Sequence, residues 1–335
     1  MRNPVARALT AVAACCRSLA CLLPLLLLSG VAMAQGDYPS HPVRIVIGAG
    51  AGTPPDVALR AISHELSTLW GQPVVIENLV GAGGNIAGDH VAKAEPDGYT
   101  LLFGANSGIV MNQSLYRNMT FDPVRDLAPI SIVCSYPTVL VVHKNVPANS
   151  VEELVALARE RPGKLTFASA GPGTSSHLAA AMLDSMAGIE LVHVPYAGGV
   201  NLVTDLFAGR IDVYFGLPSN MLPAARAGEV KALAVTSRSR FAFAPQLPTM
   251  DESGFPGFEM VVWWGLLAPS GTPPAVIQRL HRDVVKVVQL PEMRKRLADL
   301  SMEAIGNSPE EFSAVIEADV PKWQAVIREA GVTLE

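Results

Sequence analysis

The sequence predicts an α/β fold of two units, each a mostly parallel sheet flanked by helices, with a cleft between them. Three observations carry this expectation. Short apolar, β-branched runs alternate with amphipathic helical patterns along nearly the whole chain. The runs are continuously apolar, as in strands covered on both faces, and do not alternate as a half-exposed sheet would. Glycine-rich turns recur between a strand and the helix that follows it.

Ahead of these elements the chain opens with Arg2, Arg7 and Arg17 and no acid. An apolar stretch from Leu19 to Val31 follows, then the small-x-small site Ala32-Met33-Ala34. Export machinery reads that order, so residues 1–34 are expected to be a signal peptide cleaved after Ala34, with the mature protein in the periplasm. Pro24 and Gly30 interrupt the apolar run, which is shorter than the roughly 20 residues of a membrane span. Cys21 precedes the apolar core, which argues against lipoprotein processing.

In the first unit Val43–Ile47 reads as a strand. The segment 55–70 reads as a helix with Val57, Ile62, Leu66 and Leu69 on one side. Val74–Glu77 is a strand, Gly84–Ala94 a helix and Thr100–Phe103 a strand, a βαβαβ order that implies parallel pairing. The second series begins with the strand Val139–His143. Ser150 and Glu153 form a capping box for the helix 151–160. Strands follow at Thr166–Ala168, Leu191–Val194, Ile211–Phe215 and Ala232–Thr236, with helices at Ser175–Ala187, 200–208 and 219–227. Proline and glycine punctuate 238–260, which reads as irregular. Val261–Leu267 is a strand, and the remainder is helical at 273–289, 292–299 and 309–330, the last capped by Ser308 with Glu311. Domain 1 is expected to comprise 35–138 with 262–335, and domain 2 to comprise 139–261. Hinges would lie where the chain crosses, near 133–139 and within 237–262.

Removal of residues 1–34 leaves 301 residues and takes three arginines and no acid, so the formal charge moves from −5 to −8. An acidic body argues against nucleic acid as a partner. It also requires that any anion be held by local geometry. Cys134 is the one cysteine beyond the signal, so no internal disulfide forms; its apolar neighbours mark it as a small buried hydrophobe.

The chemistry concentrates in the turns. The first is Gly48-Ala49-Gly50-Ala51-Gly52-Thr53-Pro54-Pro55-Asp56. Thr53 is placed to cap the helix, and Asp56 to return a bond to the cap, a structural role. The others are Gly81-Ala82-Gly83-Gly84-Asn85, Gly104-Ala105-Asn106-Ser107-Gly108, Ser169-Ala170-Gly171-Pro172-Gly173-Thr174-Ser175-Ser176-His177 and Tyr196-Ala197-Gly198-Gly199. Several should present helix N-termini, and they carry hydroxyls and amides but no Lys or Arg. This suits a carboxylate held by neutral donors. His177 in the first turn of its helix is a candidate for support behind that site. The signatures of phosphate-binding loops and of serine hydrolases are absent, and Gly171-x-Gly173-x-x-Ser176 lacks the third small residue of a dinucleotide fingerprint. No histidines pair at i, i+4 for a metal, so no cofactor or metal is expected. Trp263-Trp264 reads as core or hinge packing.

Over its mature length the chain resembles the solute-binding receptors of tripartite tricarboxylate transporters, the Bug family. The stretches that carry the resemblance are Tyr38-Pro39-Ser40-His41-Pro42-Val43-Arg44, Gly81–Asn85, Pro96-Asp97-Gly98-Tyr99-Thr100-Leu101-Leu102, Val192-His193-Val194-Pro195-Tyr196, Leu233-Ala234-Val235-Thr236 and Gly265–Pro273. The resemblance implies a periplasmic-binding-protein-like fold of two closing domains and no catalysis. It implies a small carboxylate ligand, delivery to the membrane subunits of a transporter, and a monomeric receptor. Carried over, the ligand residues are Gly52, Thr53, Gly83, Gly84 and Asn85 on one side and Ser169, Thr174 and Ser175 on the other, with Asn106 and Tyr196 beside them. Asp56, Ser107 and His177 join the candidate set from their places in the turns.

Two departures bear on the ligand. The family's first turn reads V-P-F-x-x-G-G-x-x-D, whereas here Gly48-Ala49 follows Ile47, and Thr53-Pro54-Pro55 replaces the second glycine and two variable residues. Gly216 stands where some relatives carry Asp, which points away from amino acids toward a simple or aromatic carboxylate. Two other readings stand beside this one: a receptor that presents ligand to a membrane sensor kinase, and a secreted α/β hydrolase. The latter needs a nucleophile–base pair that the sequence does not offer.

Overall fold

The computed structural model describes residues 38–196, 199–329 and 331–332. The expected signal peptide lies outside the described residues, as do Ala197 and Gly198 of the fifth turn. Two sheets flanked by helices make up the chain from His41 onward. The six-stranded sheet has the order β11-β4-β10-β3-β1-β2, where β1 is Val43–Ile47, β2 Val74–Asn78, β3 Thr100–Ala105, β4 Leu127–Pro137, β10 Val261–Pro269 and β11 Glu303–Ala304. The five-stranded sheet has the order β7-β6-β8-β5-β9, where β5 is Val139–His143, β6 Thr166–Ser169, β7 Val192–Pro195, β8 Val213–Gly216 and β9 Val230–Val235.

Strand direction is mostly uniform, but pairing is mixed. Four strands of the first sheet run one way, with β10 and β11 reversed, and four of the second run one way, with β5 reversed. The cause is the route of the chain. It passes from β4 through Thr138 straight into β5, and returns from β9 through 236–260 into β10. Each arriving strand slots in antiparallel between strands of the sheet it joins. The apolar runs remain covered on both faces: every residue of β5 is buried, and so are all of β10 after Val261.

Strand β4 has no counterpart in the expected element order, because Pro129, Ser131 and Ser135 break its apolar run. Pro129 is tolerated next to a register shift opposite Leu266 and Leu267, beyond the short stretch where β11 pairs on the other side. At the crossing, Thr236 ties three segments together. Its hydroxyl accepts from Thr138 N–H at 2.8 Å and donates to Met260 C=O at 2.6 Å, while Met260 N–H returns to Thr236 C=O.

The helices are α1 (Pro54–Trp70), α2 (Asn85–Ala92), α3 (Asn112–Leu115), α4 (Val151–Glu160), α5 (Ser175–Ala187), α6 (Gly199–Phe207), α7 (Pro218–Arg226), α8 (Pro274–Val288), α9 (Pro291–Asp299) and α10 (Pro309–Glu329), with a π-helical turn at Ser107–Met111. Helix α1 buries Ala58, Leu59, Ile62, Leu66 and Trp70; Val57, expected on that side, is 43% exposed because it falls on the outer face with Arg60, His64 and Thr68. The α10 start closes as a full capping box, with Glu311 N–H on Ser308 Oγ and Ser308 N–H on Glu311 Oε2. At α4 Ser150 Oγ caps Glu153 N–H, but Glu153 reaches back to Asn149 N–H. Trp263 and Trp264 are buried, and Trp264 donates to Tyr136 Oη. Cys134 is fully buried, which pushes its thiol up to about 12. Among the described residues no helix is long and apolar enough to cross a membrane.

Candidate functional site

The first, second and third turns follow β1, β2 and β3, whose parallel pairing brings their carboxyl ends together. Contacts between the turns explain the glycines. A Cβ on Gly48 would stand 2.9 Å from the Gly84 Cα, so the first two turns meet backbone to backbone. A Cβ on Gly83 would stand 2.9 Å from Asn112 Nδ2, and Gly83 and Gly84 have φ of 63° and 101°. Asn112, which the sequence reading passed over, is fully buried and donates to Gly83 C=O at 3.2 Å and to Asn85 Oδ1 at 2.6 Å. Its spacing after the third turn carried no signal, because the π-helical turn that aims it is not legible in a residue pattern. Asn85 Nδ2 has no partner among the described residues and is the open donor of this turn. Asn106 is 1% exposed, with Nδ2 on Val261 C=O and Oδ1 without a partner among the described residues. Ser107 is buried beside it.

The first turn differs from expectation in how it is held. Thr53 occupies the cap position, yet its hydroxyl donates to Gly50 C=O at 2.7 Å and caps nothing. Asp56 is fully buried and accepts from Gly52 N–H at 2.8 Å, from Arg60 Nε and Nη2, and from Asn78 Nδ2. Burial alone would raise its pKa; the bonds from Arg60, Asn78 and Gly52 outweigh this and hold the carboxyl below its ordinary value. Asp56 therefore lies under the turn as its clamp, with its acceptor capacity engaged, and is not aimed at open space. Pro54 and Pro55 remove the first two N–H groups of α1, so this helix start offers fewer donors than expected.

The fourth turn, after β6, repeats the first turn's construction. Thr174 hydroxyl donates to Gly171 C=O at 2.6 Å, as Thr53 does to Gly50. Thr174 N–H and Thr53 N–H both lie 3.3 Å from the same carbonyls. Gly173 and Gly52 have φ of 77° and 79°. Gly173 N–H donates to His177 Nδ1 at 3.1 Å, in the place where Gly52 N–H meets Asp56. The shared spacing G-x-G-T-x-x-Asp/His was present in the sequence as a signal, but only the bond geometry gives it meaning. Ser176 hydroxyl accepts from Ala170 N–H. Ser169 is fully buried; its hydroxyl accepts from Gly171 N–H and shares a bond with His193 Nε2 at 2.7 Å. Unlike the first turn, this one opens a 13-residue helix whose first two positions are Ser175 and Ser176, and among the described residues their N–H groups and the Ser175 hydroxyl have no partner.

His177 and His193 stack at 4.2 Å and 8°, and His193 stacks on Phe167 at 4.7 Å. Burial first, then the neighbouring His193, lowers His177 to about 4; burial lowers His193 as well. Both rings are neutral near pH 7. Tyr196 turns away from the turn and donates its hydroxyl to Asp205 at 2.8 Å. Among the described residues no group of three His, Cys, Asp or Glu is placed to hold a metal.

Comparison with known proteins identifies the family. Residues 58–332 match the model of the tripartite tricarboxylate transporter family receptor. A protein from the tcbD-tcbE intergenic region of Pseudomonas sp. strain P51 is 39% identical over 293 residues, 87% of each chain. Protein BugT of Bordetella pertussis is 31% identical over 89% of this chain and 92% of its own length. Among solved structures, an R. palustris protein with adipate superposes with a TM-score of 0.83 at 33% identity, covering 88% of this chain and 99% of that one. MatC from Rhodopseudomonas palustris with bound malate superposes with a TM-score of 0.81 at 29% identity, covering 87% and 100%. The chain belongs to the tripartite tricarboxylate transporter receptor family and is a solute-binding receptor of the periplasmic type.

Proposed function

We propose that this receptor captures a small carboxylate between its two sheets, by neutral donors, and hands it to the membrane subunits of its transporter without transforming it. The observation that carries the reading is the start of α5, where Ser175 and Ser176 present N–H groups and a hydroxyl within a glycine–threonine turn that contains no Lys, Arg, Asp or Glu. Asn85 Nδ2 is the matching donor on the other sheet. Arg60, beside the first turn, is committed to Asp56. In this reading Gly52, Thr53, Asp56, Gly83, Gly84, Ser169, Thr174 and His177 shape the turns, Asn106 and Ser107 line the third, and Tyr196 stands at the margin. Each charge-assisted bond contributes about 1.5–3 kcal/mol. A micromolar affinity needs about 8 kcal/mol net, which four or five such bonds supply after ordering costs.

Relatives solved with adipate and malate support the carboxylate class. So does Gly216: a Cβ there would stand 2.4 Å from the Tyr214 ring and 2.5 Å from Met221, which leaves no room for an acid to meet an ammonium group. The receptor is read as a monomer that is exported with loss of residues 1–34. Domain 1 (35–138 with 262–335) and domain 2 (139–261) close about the crossing held by Thr236. The test is thermal unfolding against adipate, malate, an aromatic acid and an α-amino acid. A ligand at 100 times its Kd stabilises by about 2.7 kcal/mol, a shift of several degrees at roughly 2–4 °C per kcal/mol. A shift with one carboxylate class supports the reading; a shift with the amino acid alone refutes it.

A further inference from the structure

The two G-x-G-T turns are one device built with two different acceptors. In each, a threonine closes the loop on a glycine carbonyl, a glycine adopts positive φ, and that glycine's N–H is received by the side chain four residues on. The first turn uses a carboxylate braced by Arg60 and Asn78. The second uses an imidazole nitrogen, which accepts only while it carries no proton. We propose that His177 is a positioning residue of the Ser169–Thr174 turn, equivalent to Asp56 in the first, and that it holds the turn in ligand-receiving shape only as a neutral ring, so that acid opens one half of the site and leaves the other closed. This rests on the reading of that turn as part of the ligand site.

Three features beyond the single bond support it. His177 is 9% exposed, and its ring is fixed by stacking on His193, which in turn bonds Ser169 at the start of the same turn. The pair thus grips the turn at both ends, at Ser169 and at Gly173. Second, the two rings line a cavity of about 400 Å³ together with Phe167, Asp184, Glu329 and Val332, through which protons reach them. Third, among the described residues no carboxylate bonds the His177 ring to hold an imidazolium there. Asp184, on the same helix, has Oδ2 on Leu191 N–H and Oδ1 without a protein partner, and burial pushes its carboxyl up to about 7, so it is neutral in the acid range. Glu190 and Glu329, from the loop and from α10, are exposed to solvent. Arg159 of α4 is engaged by Ala187 C=O. A proton on His177 would meet the Gly173 N–H head-on and a second imidazole face-on.

The test has two arms. In the first, NMR follows the Gly52 and Gly173 amides and the His177 ring of the ligand-free protein from pH 7.5 to 3.5. The Gly173 amide is expected to move with the His177 midpoint near 4, while Gly52 holds still down to pH 4. In the second, adipate affinity is measured at pH 7.5 and 4 for the wild type, His177→Asn and His177→Phe. Asn keeps an acceptor near the Nδ1 position and does not titrate; Phe keeps the stack and loses the acceptor. At pH 7.5 His177→Phe is expected to bind about 5-fold more weakly than the wild type, the worth of one neutral hydrogen bond, and His177→Asn to recover part of that loss. Between pH 7.5 and 4 the wild type should lose about 2-fold more than His177→Asn, since half its rings are then protonated. The proposal is overturned if Gly173 does not titrate with His177, or if His177→Phe binds as the wild type does. Absence of adipate binding by the wild type at pH 7.5 would count against the carboxylate reading; the NMR arm would still decide the role of His177.

Discussion

Replacing Asp56 with alanine tests whether the first turn is clamped as its bonds indicate. The carboxylate has no exposed surface and receives Gly52 N–H, Asn78 Nδ2 and two groups of Arg60. In Asp56→Ala, the half-exposed Arg60 returns to water at little cost, as surface ion pairs do at about 0–1 kcal/mol. Asn78 keeps its second bond, to Ala49 C=O. The Gly52 N–H is left without an acceptor, at about 1–3 kcal/mol. Together these give a loss of about 3 kcal/mol, or about 6 °C in Tm for a chain of this size. Circular dichroism melts of the wild type and variant at several pH values are the assay. Because the folded carboxyl lies below its ordinary value of 3.8, its contribution is present above that pH and is lost only as pH falls through the folded value. The gap in Tm should therefore be constant from pH 8 to 5 and close below about 4. A loss under about 1 °C at pH 7, or a gap that closes between pH 8 and 5, would refute the clamp.

Two further outcomes follow from the same geometry. Gly48→Ala should weaken carboxylate binding and lower Tm together, because its Cβ would lie 2.9 Å from the Gly84 backbone and would push the first two turns apart; unchanged melting and affinity would show that the turns do not meet. Asp184→Asn should stabilise the protein at pH 8 and not at pH 4. The folded carboxyl sits near 7 against 3.8 unfolded, so the unfolded chain binds fewer protons in that window and stability falls as pH rises through it, by about 4 kcal/mol at most. Asparagine can still accept from Leu191 N–H, and equal Tm values for variant and wild type at pH 8 would exclude the burial argument.

The sequence by itself determined the family, the fold class and most of the elements in their order. Strands such as Val43–Ile47 and Val139–His143 are read from continuous apolar runs, and the starts of α4 and α10 from their capping boxes, because these signals are local. Glycine-rich turns between strand and helix mark the candidate site, since few other residues let a backbone approach so closely. The mixed pairing, the strand β4 and the placement of Asn112 were decided by tertiary structure. Antiparallel entry of β5 and β10 follows from which sheet the chain comes from, and Pro129 is tolerated only because a bulge and an open side happen to receive it. The two G-x-G-T turns show the division most clearly. Their spelling is in the sequence, but Asp56 acts as a clamp because Arg60 and Asn78 converge on it. His177 acts as one because the pairing of Phe167 with His193 sets a second imidazole beneath its ring. A local pattern states which groups a turn contains; partners drawn from distant strands and helices decide their charge, their direction and what they hold in place.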